Sequence, residues 1–380
     1  MKISGEWMSH AGTQALLAAL QAGGQKAFFV GGCVRNALMG VPVSDIDVAT
    51  DALPETVTSI AKAAGLKVVP TGIEHGTVTV IAQGRPHEVT TFRKDIQTDG
   101  RRAIVAFSTD LAEDAARRDF TMNALYADAS GTVHDPLGGL PDLVARRVRF
   151  VGDAAERIRE DYLRILRFFR FHAHFGDPER GIDAEALAAC AANSDGLDTL
   201  SRERIGAEIR KLLSAIDPAP AVASMAQGGI LSRVLPGSDP RALAPLVHLE
   251  GDLAPRWLRR LVVLGGVGTD QALRLSRAEA RDLAVLRAEI GRGRAPVVLG
   301  WLHGADLGTD IVLATAAMMD QPLPADWQAQ LARGAEAVFP IAAADLMPGL
   351  QGEALGARLK ELEARWLESG LALGREQLLD

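Results

Sequence analysis

Ala27-Phe28-Phe29-Val30-Gly31-Gly32-Cys33-Val34-Arg35 decides how this chain is read. A short apolar run, suited to a strand, meets two glycines and then a stretch able to start a helix. The glycines let backbone approach a phosphate closely, and the arginine adds fixed charge to the same phosphate. Ten residues after Arg35, Asp45-Ile46-Asp47 reads as a second strand with two carboxylates on one face. Paired oxygen donors suit a hard cation such as Mg²⁺. A phosphate cradle beside such a pair is the minimum equipment for moving a nucleotidyl group. The glycine spacing fits neither the dinucleotide-binding G-x-G-x-x-G nor the Walker G-x-x-x-x-G-K.

Working outward, Ala27–Val30, Ile46–Ala49, Val78–Ala82 and Glu88–Phe92 read as strands bounded by Gly, Pro or Asp. Leu16–Leu20 belong to a leading helix. Pro54-Glu55-Thr56 opens another that ends near Gly65, with proline at its start and glycine at its end. After about residue 150 the texture becomes helical, with β-branched runs rare and breaks at Asp217–Pro220, Gly228-Gly229, Pro236-Gly237, Gly291–Arg294, 323–325 and Phe339-Pro340. Glu353–Ser369 is a late amphipathic helix. The expected class is α+β: a mixed-sheet head over 1–150, then all-α segments over 151–215, 216–320 and 321–380.

A chain of 380 residues exceeds what one core usually supports. Its apolar fraction of 48% is that of an ordinary globular protein, and its net charge of −7 confines any nucleic-acid surface to a local patch. Two cysteines, Cys33 and Cys190, form no disulfide framework and no C-x-x-C zinc pair. Met1–His10 has no apolar core of signal-peptide length, and no membrane span is read, so a cytoplasmic location is expected.

Arg157–Phe171 reads as one helix. Ile158, Tyr162, Ile165, Leu166 and Phe169 make an apolar face, and Leu163, Phe168 and Phe171 extend it nearly all round. Asp161, Arg164, Arg167 and Arg170 are threaded through it at every third position. Such charges need partners. One reading is a set of salt bridges, and spacing alone favours it. The other is a cleft lining that meets a ligand with a donor and an acceptor edge. Cytosine and adenine each place an amine beside a ring acceptor, so an aspartate–arginine pair would take CTP or ATP and reject UTP or GTP.

Further stretches carry paired readings. Arg117-Arg118-Asp119-Phe120-Thr121-Met122-Asn123-Ala124 opens a helix capped by Asp119 or Thr121, or else sets Arg118 on a triphosphate and Asp119 and Asn123 near a ribose. Glu88 is a third metal-site carboxylate or base, or an exposed strand residue. His134-Asp135 is read as a structural turn. Lys94–Arg102 is a polar loop, or a mobile element touching nucleotide or primer. Residues 256–294 hold nine arginines against four acidic residues; Arg256, Arg259, Arg260, Arg274, Arg277, Arg281 and Arg287 make a solvated helix face or an RNA track.

Together these residues closely resemble the bacterial-type (class II) CCA-adding enzymes and their sister poly(A) polymerases. The resemblance rests on Gly31-Gly32-x-Val34-Arg35 with Asp45-x-Asp47, Glu88–Arg93, Arg117–Ala124, Asp135-Pro136-x-Gly138-Gly139 and Glu160-Asp161-x-x-Arg164-x-x-Arg167-x-x-Arg170, with Glu203-Arg204-Ile205-x-x-Glu208 following. It implies a polymerase-β-like nucleotidyltransferase head followed by helical neck, body and tail. It implies Mg²⁺ on Asp45 and Asp47, triphosphate on Gly31, Gly32, Arg35 and Arg118, and base reading by Asp161 and Arg164 with Arg167 and Arg170 in support. The implied reaction is addition of C, C and A to the tRNA 3′ end from CTP and ATP, with no membrane and no obligate protein partner. Poly(A) synthesis, partial CC or A addition and, more remotely, an inactive RNA-binding protein are the alternatives. Asn36 departs from the family pattern, which has aspartate there; an amide keeps a hydrogen bond but not an ion pair.

Overall fold

The computed structural model describes residues 1–99, 102–347 and 349–380, with 95–99 and 102–105 described by backbone alone. Two compact units emerge: Met1–Glu208 with Pro220–Val234, and Ile209–Ala219 with Leu235–Asp380.

The described residues of the first unit hold nine strands, β1 (Ala27–Val30), β2 (Asp47–Thr50), β3 (Lys67–Val69), β4 (Thr77–Ala82), β5 (Arg85–Thr91), β6 (Arg93–Asp99), β7 (Arg102–Phe107), β8 (Tyr126–Ala127) and β9 (Val133–His134). Seven form a sheet in the order β3-β4-β5-β2-β1-β8-β9, and β6 pairs with β7 alone. Only β2–β5 is parallel; every other pair is antiparallel. Helices α1 (Glu6–Ser9), α2 (Ala11–Ala22), α3 (Gly32–Met39), α4 (Pro54–Ala63), α5 (Leu111–Ala116) and α6 (Leu140–Val144) accompany this sheet, and α7 (Ala154–Glu160), α8 (Leu163–Phe175), α9 (Ala184–Ala192) and α10 (Arg202–Leu213) follow.

The turn out of β1 has a backbone cause. Gly31 sits at φ 70°, ψ −119°, a conformation closed to side-chain-bearing residues, and it ends the strand and starts α3 in one step. Gly40 closes α3 in the left-handed region. Pro54 begins α4 as expected. Burial alternates along β4, one face on the core and one half-open.

A phenylalanine cluster seats α8 in this unit. Phe120 and Phe150 lie 5.0 Å apart, and Phe168 stacks on Phe150 at 5.6 Å. All three are fully buried, so truncating Phe168 would cost about 3–5 kcal/mol.

Three sequence expectations change here. The segment from Arg157 to Phe171 is two helices, broken where Asp161 leaves α7 with extended backbone at φ −154°. Arg117–Ala124 opens no α-helix. α5 ends before it, and a single 3-10 turn, Thr121–Asn123, follows, because Asp119 accepts from the Phe120 N–H and the Asn123 amide inside the loop. Lys94–Arg102, read as a loop, lies mostly in the β6/β7 hairpin, whose register shifts between Asp95 and Gln97; its residues 100 and 101 are outside the described ones.

The described part of the second unit is helical. It holds the one described helix with the length and hydropathy of a membrane span, Pro296–Met319, where the sequence reading found none. Gly304, at φ 75° and ψ 171°, interrupts this helix, and over half of its apolar window is buried. Its Asp310 is fully buried and pairs with Arg259 at 3.0 Å. It is a core helix. Arg259 and Arg260 are likewise buried and bind Glu250, so neither the solvated face nor the RNA track holds for them. The late helix is Gly352–Glu368, with Trp366 edge-on to Trp301 at 5.4 Å.

Candidate active site

The parallel pairing of β2 and β5 sets Asp47 directly beside Glu88. Neighbours in such a pair point to one face, so the two carboxylates share a side of the sheet. Asp45 lies just before β2, exposed, accepting a hydrogen bond from Ser44 Oγ at 3.0 Å. It is a loop residue leading into the strand, not a strand residue. Burial pushes the Asp47 carboxyl up to about 6, with Glu88 and Asp45 adding to the rise and Arg118 opposing it. Three carboxylates thus repel one another around a half-buried oxygen pair, an arrangement a divalent cation would relieve. Among the described residues no three His, Cys, Asp or Glu form a ready metal cage.

Gly31 and Gly32 open α3 beside two arginines. A β-carbon on Gly31 would come within 3.3 Å of Arg118 Nη1, and one on Gly32 within 3.8 Å of Arg35 Nη2. Arg118 is anchored from behind: its Nη2 donates to Asp114 Oδ2 at 2.9 Å and its Nε to the Tyr126 hydroxyl at 3.1 Å. Tyr126 donates in turn to Asp114 at 2.7 Å. Paired with Arg118 and Arg117, Asp114 titrates down to about 2 against the pull of its burial. Neither Asp114 nor Tyr126 was singled out from sequence, although Asp114 lies four residues before Arg118 at helical ion-pair spacing.

Arg35 is buried on α3. Its Nε and Nη2 donate to Asn36 Oδ1 at 3.2 and 2.8 Å, and its Nη1 to Asn123 Oδ1 at 2.5 Å. Asn36 therefore keeps the hydrogen bond expected of an amide, and its own Nδ2 holds the Pro42 carbonyl at 2.9 Å, on the loop leading to Asp45.

The α7–α8 break places the base-reader candidates. Asp161 Oδ1 accepts from the Leu163 N–H at 3.1 Å, which fastens the start of α8, and Oδ2 accepts from Arg204 on α10 at 2.7 Å. Arg164 pairs with Glu160 and donates to the carbonyls of Arg157 at 2.7 Å and Arg117 at 3.2 Å. Arg167 pairs with Asp119, while Arg170 Nε lies 2.8 Å from Glu208 Oε2 without hydrogen-bond alignment. The salt-bridge reading is therefore present in full, yet these side chains keep 15–34% exposure at Arg164, Arg167, Arg170 and Asp161. Asp119 spends Oδ1 on the Phe120 N–H and Asn123, and Oδ2 on Arg167. Its carboxylate thus ties Asn123 to the arginine cluster.

His134 ends β9, and Asp135 leads into the turn at Pro136-Leu137. Asp135 accepts from the N–H groups of Gly139 and Leu140 at 2.7 and 2.9 Å.

A mixed sheet carrying paired carboxylates, with a glycine turn at its edge, defines a polymerase-β-like nucleotidyltransferase fold followed by helices. Residues 27–149 match the family described as the poly A polymerase head domain, and 181–241 match that described as the probable RNA and SrmB-binding site of polymerase A. Over 184 residues the chain is 45% identical to the human mitochondrial CCA tRNA nucleotidyltransferase 1, covering 48% of this chain and 42% of that protein. Over 216 residues it is 42% identical to the CCA-adding enzyme of Geobacillus thermodenitrificans, covering 56% and 52%. The chain thus spans about half the length of the curated relatives it matches. The crystal structure of the Bacillus stearothermophilus CCA-adding enzyme in complex with CTP superposes with a TM-score of 0.71 at 28% identity, over 94% of this chain and 92% of that one. The Thermotoga maritima CCA-adding enzyme, complexed with tRNA, shares the fold with a TM-score of 0.68 at 19% identity, over 96% and 92%. Residues 27–149 and 181–241 thus match segments of the poly A polymerase family, and about half of the chain is similar in sequence to CCA-adding enzymes.

Proposed function

We propose that this chain adds C, C and A to the 3′ end of tRNA from CTP and ATP, without a nucleic-acid template and with release of pyrophosphate. The observation that carries this is the pairing of Asp47 with Glu88 beside the Gly31 turn, in the unit that also holds Asp161 and Arg164. A relative of 28% identity was solved with CTP, which supports the same substrate class.

Asp45 and Asp47 would hold Mg²⁺. When bound, the metal lowers the pKa of the primer hydroxyl and neutralises charge on the α-phosphate and pyrophosphate. Gly31, Gly32, Arg35 and Arg118 hold the triphosphate, with Asp114 and Tyr126 fixing Arg118. Glu88 adds negative charge beside the metal pair. Asp161 and Arg164 read the base edge; Arg204 and Glu160 keep them in place, and Arg167 and Arg170 support them through Asp119 and Glu208. Asn123 links Arg35 to Asp119. The division into head, neck, body and tail over 1–150, 151–215, 216–320 and 321–380 belongs to this reading, the last two taking the tRNA. So does a cytoplasmic location, which two unpaired buried cysteines support.

Poly(A) addition is the second reading, favoured by the polymerase A descriptions of both matched segments. The deciding experiment offers tRNA lacking its 3′ triplet with each nucleotide alone and then with CTP and ATP together, and sequences the ends. Discrete CCA ends are expected. Long A tails, ends stopping at CC, or no incorporation would each overturn it.

A further inference from the structure

Gly196 and the ring of Tyr162 meet more closely than any side chain at position 196 would allow. A β-carbon added to Gly196 would lie 2.0, 2.1 and 2.2 Å from Cδ1, Cε1 and Cγ of Tyr162. Carbon atoms in contact sit about 3.5–4.0 Å apart, so the ring rests directly on the glycine backbone. Gly196 does not have a positive φ; space, not backbone conformation, shuts a side chain out. Spinning the ring would not clear an added methyl, because Cγ lies on the rotation axis.

Of the two residues, Gly196 is the less free to move. It lies in the 3-10 turn Ser194–Thr199. Its N–H donates to the Asn193 carbonyl at 3.2 Å, its own carbonyl accepts from Thr199 Oγ1 at 2.7 Å, and Leu197 beside it is fully buried. Arg233 pairs with Asp195 and Asp198 on either side. Tyr162 stands instead at the α7–α8 break, with Asp161 in extended backbone before it and α8 starting after it. A tilt of Tyr162 therefore carries Asp161 and the first turn of α8, with Arg164, along with it. Asp161 is fastened from the far side of the sequence at two points: by charge, through Arg204 at 2.7 Å, and by shape, through Tyr162 on Gly196.

We infer that Tyr162 and Gly196 are positioning residues for base selectivity: the ring seated on the glycine sets the direction in which Asp161 and Arg164 face a base. The inference rests on the proposed base reading and adds the contact that aims it. Neither residue touches the base; both act through Asp161 and Arg164. Hydrogen bonds weaken steeply as they bend, so a tilt that leaves both helices intact blunts the choice of base. The carboxylates on β2 and β5 are not part of this contact, and the tilt spares them.

The experiment measures kcat/KM for CTP, ATP, UTP and GTP on tRNA lacking its 3′ triplet or only its terminal A, for Gly196→Ala, Tyr162→Ala, Tyr162→Phe and the double variant with both alanines. Gly196→Ala and Tyr162→Ala are each expected to narrow the preference for CTP and ATP over UTP and GTP by about tenfold. Tyr162→Phe keeps the wild-type preference, because the ring remains. The double variant is expected to match Tyr162→Ala alone, since the added methyl then meets no ring. A loss of folded enzyme lowers all four nucleotides alike and leaves their ratio unmoved. Unchanged ratios in the two single variants would therefore reduce the contact to packing and overturn the inference. So would a double variant whose ratio falls by the product of the two. If Gly196→Ala fails to fold, Tyr162→Ala against Tyr162→Phe decides, and equal ratios there overturn it. A wild-type chain that incorporates all four nucleotides equally would sink the proposed base reading itself, and the inference with it.

Discussion

The molecule has two arginine clusters that look alike in sequence and behave oppositely in structure. In the first unit Arg35, Arg167 and Arg170 surround Phe171 with two carboxylates between them. In the second, Glu250 binds Arg259 and Arg260 and Asp310 binds Arg259 and Arg256; Arg259, Arg260, Glu250 and Asp310 are all buried. The spare donors there go to backbone: Arg260 to the carbonyls of Leu213, Ala215 and Ile216, Arg259 to that of Ala254. The second cluster, closed on buried carboxylates and backbone carbonyls, holds helix ends together. The first keeps its paired arginines partly exposed, Arg167 at 32% and Arg170 at 16%. Arginine count and spacing do not tell the two apart; the partner inventory does.

The strongest test of that contrast is to remove a charge from each unit and compare activity with stability. Asp47→Asn should lower nucleotide incorporation by at least about a thousandfold while tRNA binding survives. Comparable turnover would end the metal-site assignment. The same change should raise thermal stability of the metal-free protein, by about 1 kcal/mol. The folded carboxyl, with its pKa near 6, holds a proton more tightly than the unfolded chain does. Ionising it therefore costs the native state stability as pH rises from roughly 4 through 6, a cost the amide does not carry. At limiting Mg²⁺, incorporation should fall below about pH 6 as Asp47 protonates, and excess metal should restore it.

Arg260→Ala should do the reverse in kind. Leaving Glu250 buried with one partner fewer should cost about 3–5 kcal/mol, read by chemical denaturation. Loss of under about 1 kcal/mol would mean the second cluster is not the closed staple described. Arg164→Ala is the finer cut. It should narrow the preference for CTP and ATP over UTP and GTP by about a hundredfold, with folding intact. Unchanged selectivity would leave Arg164 as a salt-bridge residue only, on a par with Arg260.

Much of the head was legible because its signals are local. Gly31 takes a backbone conformation that side chains forbid, Pro54 starts its helix, and the β-branched and aromatic runs became strands within a few residues of their expected ends. What failed depends on partners far along the chain. The break at Asp161–Tyr162 falls inside an unbroken apolar pattern, and there Asp161 engages Arg204. Asp114 and Tyr126 became the seat of Arg118 only when α5 and β8 met.

Sequence alone determined which groups are on offer: a glycine turn, the carboxylates of Asp45 and Asp47, and an aspartate and an arginine three residues apart. Those follow from residue type and short spacing. Tertiary structure alone decided which charges are spent and which are left over. Ion pairing in a low-dielectric interior is set by partners brought together from far along the chain, such as Asp119 to Arg167, Glu208 to Arg170 and Asp310 to Arg259, and no local pattern encodes that sum.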